Sequence, residues 1–147
     1  AQLLAEVGGL GAKAVQVGGA SGRCVPASMF DHSLAFEDVP TGGSIIIFGQ
    51  HRDMLKVARN FMEFFVDESC GQCTPCRYGS VALLDGIAKL EKGQCSIQHL
   101  NELKALGETM ELASKCGLGQ SAPKAFMTIV EGFQDEVLGR PAPHPVA

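Results

Sequence analysis

Six cysteines are the residues of this 147-residue chain whose type and spacing could do chemistry. They are Cys24, Cys70, Cys73, Cys76, Cys95 and Cys116. Three of them fall within seven residues with the spacing C-x2-C-x2-C, Cys116 follows the last of these after thirty-nine intervening residues, and Cys24 and Cys95 each stand alone. Cysteines in such numbers serve disulfides, metal sites or redox centres, so the spacing has to decide among these chemistries.

The closely spaced trio of Cys70, Cys73 and Cys76 cannot face one way on a regular helix, because each helical residue advances by about 100°. A loop with this spacing can instead wrap round a cubane and present three thiolates to three irons. Gly71 gives that loop backbone freedom, and Pro75 can start a helix just before Cys76. Structural zinc generally uses two separated pairs of ligands, so the spacing favours a [4Fe-4S] cluster, with zinc and disulfides as the alternatives.

Four amphipathic helices are predicted to position these cysteines. The first carries Met54, Leu55, Ala58, Phe61, Met62 and Phe65. The second has Thr74 as N-cap, Pro75 in its first turn, Val81, Leu84, Ile87 and Leu90 on its buried face, and Gly93 as its stop. The third starts near Ser96 and buries Ile97, Leu100, Leu103, Leu106 and Met110. The fourth opens at Ser121, buries Phe126, Ile129, Val130, Phe133 and Val137, and ends at Gly139.

Helices joined by short loops bury their apolar stripes against one another, so we expect a four-helix bundle. In an up-and-down bundle, the first and third connections lie at the same end. The trio occupies the first connection and Cys116 the third, which makes Cys116 the candidate fourth ligand. Cys95 lies in the second connection, at the opposite end. We expect Cys95 and Cys24 to be small, partly or fully buried thiols.

The chain divides by composition into three parts. Residues 1–50 are glycine-rich, with a brief helix over 3–7 and β-branched runs at 14–17 and 44–48, which predicts a small unit of strands and turns. Residues 51–139 form the helical domain, and 140–147 an extended tail. The predicted fold class is therefore α+β. The segment Gly9 to Ala14 fits G-x-G-x-x-A superficially, but no strand precedes it and no adequate helix follows, so we assign it no nucleotide.

Composition excludes several classes of partner. Hydrophobic residues make up 46% of the chain and charged residues 19%, as in globular proteins. The net charge of −4 and the lack of a basic stripe argue against nucleic acid. No apolar run approaches the roughly 20 residues of a membrane span, and we expect no secretory leader. The start at Ala1 without an initiator Met suggests a piece of a longer protein, whose first unit is incomplete.

Residues 68–79, ESCGQCTPCRYG, resemble the ESCGxCxPCRxG signature of the NADH-binding flavoprotein subunit of respiratory complex I. Its relatives include the diaphorase subunits of soluble NAD-reducing hydrogenases and NAD-dependent formate dehydrogenases. Residues 11–22 and 40–48 look like the β-grasp domain of these subunits, and 51 onward like their helical iron–sulfur domain. Gln72, Tyr78 and the segment 115–123, KCGLGQSAP, look more like the hydrogenase and formate dehydrogenase branches.

The resemblance implies that Cys70, Cys73, Cys76 and Cys116 hold one [4Fe-4S] cluster that relays single electrons between a flavin and clusters of partner subunits. FMN and NAD(H) would belong to an upstream domain. The implied partners are a small [2Fe-2S] subunit and a larger iron–sulfur subunit, in the cytoplasm or on the cytoplasmic face of a membrane complex. Arg77 either tunes the cluster or is an ordinary solvated arginine. The alternative function is a zinc-stapled interaction domain without redox activity.

Overall fold

The computed structural model describes residues 1–139, which form one short helix, three strands and then six further α-helices, with a long connection over 27–44 between the second and third strands. The strands are β1 (Ala14–Val17), β2 (Arg23–Pro26) and β3 (Ile45–Phe48). The helices are α1 (Gln2–Glu6), α2 (Met54–Glu68), α3 (Thr74–Glu91), α4 (Ile97–Ala113), α5 (Gly117–Ser121), α6 (Lys124–Gly132) and α7 (Gln134–Leu138). This mixture is the predicted α+β class. The predicted tail, 140–147, lies outside the described residues.

The three strands form an antiparallel sheet in the order β2-β1-β3. Sequence analysis found β1 and β3 but missed β2, because its sequence Arg-Cys-Val-Pro has no β-branched run. Alternate side chains point to opposite faces. Val15, Val17 and Val25 pack with Leu4 in a small cluster on one face, while the other face joins the helices.

Two of the long helices, α2 and α4, begin directly after a residue whose side chain caps the helix. The Asp53 carboxylate accepts the N–H groups of Leu55 and Lys56 at the start of α2, at 3.0 and 3.2 Å. Ser96 caps α4 as predicted, accepting the N–H of His99 at 3.2 Å. The N-cap of α3 is Cys73 and not the predicted Thr74, which is already helical.

The buried face of α3 differs from the predicted one. Val81 is 53% exposed, whereas Leu83 is fully buried together with Ile87 and Leu90. The remaining buried positions are small: a Cβ on Gly79 would lie 2.5 Å from the Met110 sulfur, and one on Gly86 would lie 2.4 Å from a Leu103 methyl carbon. Large side chains of α4 therefore fill the space that α3 leaves open, and an apolar-residue pattern could not show this face. Ile97 of α4 is likewise exposed, against expectation.

The predicted fourth helix is divided into α6 and α7, and the short helix α5, which was not predicted, ends where it was expected to begin, at Ser121. Helical hydrogen bonding is interrupted at Ala122 and Pro123, between α5 and α6, and again at Phe133, whose φ of −135° and ψ of 37° are not helical, between α6 and α7. Phe126, Ile129, Val130 and Val137 are buried as expected, whereas Phe133 is only partly buried. The long helices α2, α3 and α4 pack in sequence, and α6 contacts both α2 and α4.

Sheet and helices share one core. Ala14, Cys24 and Phe48 of the sheet belong to the same apolar cluster as the helix residues Met54, Phe65, Leu83, Leu100, Met110 and Phe126. The contact is made chiefly by α6 on β2, where the Cys24 N–H donates to the Thr128 hydroxyl at 2.9 Å.

Within residues 1–139, none of the helices combines the length and apolar character that crossing a bilayer requires.

Candidate functional site

The cysteine trio lies in the five-residue connection between α2 and α3 and in the first turn of α3. Gly71 has a φ of +72°, a left-handed conformation that other residues rarely adopt, so a glycine is required to turn the chain between Cys70 and Cys73. The Ser69 hydroxyl accepts the Gly71 N–H at 3.3 Å and lies 3.4 Å from the Cys76 sulfur. The loop is thus fixed by local hydrogen bonds.

Two of the trio are buried at the amino-terminal end of α3. Cys73 is the N-cap residue and Cys76 lies in the first turn, and both are nearly inaccessible to solvent, whereas Cys70 is exposed. The unpaired N–H groups and the dipole at a helix N-terminus stabilise negative charge. For Cys73, whose pKa is lowered by backbone N–H groups, this favours the thiolate, which is the metal-binding form of cysteine.

Cys116 lies in the connection between α4 and α5 and is the N-cap of α5. It is exposed. The pKa of the Cys73 thiol is lowered from its usual value by two backbone N–H groups. The larger effect comes from Lys115, the neighbour of Cys116, and the smaller one from Cys76. The Cys116 loop therefore contacts the trio, as the order of the helices predicted.

Helix α5 lies close against Cys76. A Cβ placed on Gly119 would be 2.9 Å from the Cys76 Cβ, 2.7 Å from the Ser114 Cβ and 2.6 Å from the Ser114 hydroxyl oxygen. These distances are too short for any side chain, so glycine at 119 allows the two loops to meet.

Ser114 is the C-cap of α4, and its buried hydroxyl has no hydrogen-bond partner in the described part of the chain. An unpaired buried hydroxyl costs about 1–3 kcal/mol. Two neighbouring loops that carry four cysteines, the N-terminus of α3 and an unpaired hydroxyl donor suit an anionic cluster whose sulfurs accept hydrogen bonds. The residues present therefore fit a [4Fe-4S] group.

The described side chains do not form a finished site for a single metal ion. Among residues 1–139, no three side chains of His, Cys, Asp or Glu converge closely enough to share one ion. Zinc needs donors at about 2.0–2.3 Å from a common centre. A four-iron cluster distributes its thiolates over separate irons, which suits two loops that approach each other from different helices.

The two isolated cysteines lie elsewhere. Cys24 is buried in the sheet–helix core, where burial raises the pKa of its thiol to about 12. Cys95 follows α3 at the end opposite to Cys73, about 27 Å away along a helix of 18 residues. Burial also raises the pKa of the Cys95 thiol. Both thiols stay neutral, which agrees with the expectation that they are packing residues.

Arg77 reaches back over the trio loop. Its guanidinium donates to the Gly71 carbonyl at 3.1 Å and lies 4.9 Å from the centre of the Tyr78 ring. The side chain is exposed, but it is held on the loop between the first two cysteines. Both readings of Arg77, charge tuning and local packing, have a structural basis here.

We expect Arg77→Ala to lower the reduction potential of the cluster by about 30 mV, because a fixed cation favours the more negative reduced state. Solvent screening keeps the effect below that of a buried charge. A redox titration followed by EPR measures the shift. Arg77→Lys, which retains the charge, is the matched control. A potential that stays the same or rises in Arg77→Ala would leave only the packing role.

The segment from Gly9 to Ala14 connects α1 to β1. A dinucleotide-binding turn runs the other way, from a strand into a helix whose N-terminus holds the phosphates. The structure therefore confirms that this glycine pattern is not such a turn.

Sequence reasoning missed Ser69, Ser114 and Gly119. Ser69 and Ser114 each lie within two residues of a proposed ligand, which is a usable signal for hydrogen-bonding neighbours. Gly119 had no local signal, because the contact that requires a glycine comes from Cys76, forty-three residues away.

Comparison with known proteins gives consistent results. Residues 56–140 match the model of the NADH-ubiquinone oxidoreductase-F iron-sulfur binding region. The chain is 39% identical over 135 residues to the NAD-reducing hydrogenase HoxS subunit alpha of Cupriavidus necator, covering 91% of this chain and 22% of that protein. It is 33% identical to the NADP-reducing hydrogenase subunit HndC of Solidesulfovibrio fructosivorans, covering 84% of this chain and 26% of that protein.

The fold is similar to that of a solved protein. The crystal structure of an NAD+-reducing [NiFe]-hydrogenase in the H2-reduced state contains a chain that matches 90% of this one with a TM-score of 0.82 and 36% identity. The match covers 24% of that chain. The present chain thus spans about a quarter of the length of the relatives that it matches.

Proposed function

The chain belongs to the NADH-ubiquinone oxidoreductase-F iron-sulfur binding family, and from this premise we propose that it holds one [4Fe-4S] cluster and relays single electrons through it. The observation that carries the proposal is the close contact between the two cysteine loops, where a Cβ on Gly119 would lie 2.9 Å from the Cys76 Cβ. The proposed ligands are Cys70, Cys73, Cys76 and Cys116. When bound, the cluster supplies a site that accepts and returns one electron without a covalent intermediate.

The chain's own residues would hold and tune that site. Cys73 and Cys76, both buried, would exclude water from one side, and Cys73 lies at the positive N-terminal end of α3. Cys70 and Cys116 are exposed. That open side is the proposed path for electrons to and from other parts of the assembly.

We assign the chain to a larger NAD(H)-linked oxidoreductase, with the hydrogenase branch favoured by the relatives in C. necator and S. fructosivorans. FMN and NAD(H) would bind outside this chain, and electrons would pass on to a small [2Fe-2S] subunit and a larger iron–sulfur subunit. A cytoplasmic location goes with this assignment. Within the chain, we propose a β-grasp-like unit over 1–50 and a four-helix iron–sulfur domain over 51–139, with the cluster at one end of the bundle.

Metal analysis of the anaerobically purified protein tests the proposal. We expect about four irons and four sulfides per chain, a broad visible absorption and an EPR signal after reduction. One zinc per chain and a colourless protein would support the zinc-stapled interaction domain instead. The two outcomes exclude each other, since both functions need the same thiolates.

We expect the 147-residue chain with its cluster to retain no flavin and to oxidise no NADH, because its glycine-rich turn lacks the helix N-terminus that would hold a phosphate. Flavin fluorescence after denaturation and an NADH-dependent dye-reduction assay measure this. A soluble NAD-reducing hydrogenase, assayed in parallel, is the positive control. Flavin retained one to one by the chain would overturn the proposed placement of the flavin site.

A further inference from the structure

We propose that the Ser114 hydroxyl donates a hydrogen bond to a sulfur of the cluster beside Cys76 and thereby favours the reduced state. Ser114 would then be a positioning residue that acts on the cluster without ligating it. This inference rests on the proposed iron–sulfur function and adds a residue to it.

The first argument is the hydrogen-bond inventory of Ser114. Its backbone N–H donates to the Met110 carbonyl at 3.1 Å, and its carbonyl accepts the Gln120 side-chain amide at 3.0 Å. Only the hydroxyl, on a residue that is 4% exposed, lacks a partner in the described residues. Buried hydroxyls in native proteins are nearly always paired. The acceptor for the Ser114 hydroxyl is therefore inferred to be a group bound at the site.

The second argument is position. The point where a Gly119 Cβ would lie is 2.6 Å from the Ser114 hydroxyl oxygen and 2.9 Å from the Cys76 Cβ. The hydroxyl therefore borders the space beside the Cys76 side chain. Neighbouring Ser121, by contrast, donates its hydroxyl to the Gly117 carbonyl at 2.7 Å and is satisfied within its own helix.

The third argument is the chemistry of the acceptor. Thiolate and sulfide sulfurs in a cluster accept hydrogen bonds, and such bonds are among the factors that set its potential. Reduction adds one electron and no proton, so the sulfurs become more negative and hold a donated hydrogen bond more strongly. Loss of the Ser114 donor should therefore lower the midpoint potential.

The test compares Ser114→Ala with wild type and with Ser121→Ala as the matched control. At a fixed applied potential, we expect the ratio of reduced to oxidised cluster to fall about threefold to tenfold in Ser114→Ala, where tenfold corresponds to 59 mV for one electron. Ser121→Ala should match wild type. Pulsed EPR of the reduced protein in D2O should show an exchangeable deuteron that is lost only in Ser114→Ala.

A second pair of variants covers the case in which Ser114→Ala fails to assemble the cluster. Ser114→Thr and Ser114→Val have the same shape and differ only in the hydroxyl, and the extended backbone of Ser114 accepts both. We expect Ser114→Thr to keep the wild-type potential and deuteron coupling, and Ser114→Val to lose both.

Equal potentials in these two variants, or no difference in deuteron coupling between wild type and Ser114→Ala, would overturn the role of Ser114 while leaving the cluster in place. Failure of the proposed function looks different, because the wild-type protein would then contain no iron.

Discussion

Replacement of any one of Cys70, Cys73, Cys76 and Cys116 by serine should remove most of the iron from the protein, whereas Cys24→Ala and Cys95→Ala should retain it. The first four lie in two loops that contact each other at the N-termini of α3 and α5. A serine hydroxyl is a poor substitute for a thiolate at an iron–sulfur centre. Iron and sulfide per chain, together with EPR of the reduced protein, measure the loss.

The two control variants, Cys24→Ala and Cys95→Ala, test whether these cysteines are dispensable for iron binding. Cys24 packs in the apolar core and Cys95 lies at the far end of α3, so their removal should cost about 1 kcal/mol of stability and no iron. A full complement of iron in Cys116→Ser, combined with its loss in Cys95→Ser, would reverse the choice of the fourth ligand.

Gly119→Ala should destabilise the folded protein by about 1–3 kcal/mol and reduce its iron content, because the added Cβ would overlap atoms that cannot move away freely. One of these atoms is the Cys76 Cβ, at 2.9 Å, which is fixed by the first turn of α3. The clash therefore pushes apart the two loops that carry the proposed ligands. Urea unfolding and iron analysis of the purified variant measure the two effects.

Gly117→Ala is the matched control in the same short helix. A Cβ at Gly117 meets no atom within 4 Å, so this change should leave stability and iron content near those of wild type. Equal behaviour of the two variants would show that the approach of α5 to Cys76 is looser than the structure indicates.

The order of helices and loops along the sequence was enough to bring the Cys116 loop to the trio. Helices joined by short connections alternate in direction, so every second connection returns to the same end. The details at that end could not be derived in the same way. The division of the last predicted helix at Pro123 and Phe133, and the glycine that lets α5 reach Cys76, depend on contacts between segments distant in sequence.

The spacing of apolar residues predicted the wrong buried face for α3. The pattern selected Val81 because it is large and apolar, but the side of α3 against α4 carries Gly79 and Gly86, where Met110 and Leu103 occupy the space. A close helix contact needs small residues on one partner, and a search for large apolar residues passes over them. The strand β2 was missed for a related reason, since its place depends on pairing with β1 and on α6.

The common core of sheet and helices links the stability of the two halves of the chain. The division suggested by composition at residue 50 would separate Ala14, Cys24 and Phe48 from the α2 and α6 side chains of the same apolar cluster. Metal binding to the native state adds its free energy to the whole cooperative unit, not only to the loops that hold the metal. Iron bound at the N-termini of α3 and α5 would therefore slow amide hydrogen exchange in β1 and β2. Removal of the iron by a chelator would raise the exchange rates of the same strands.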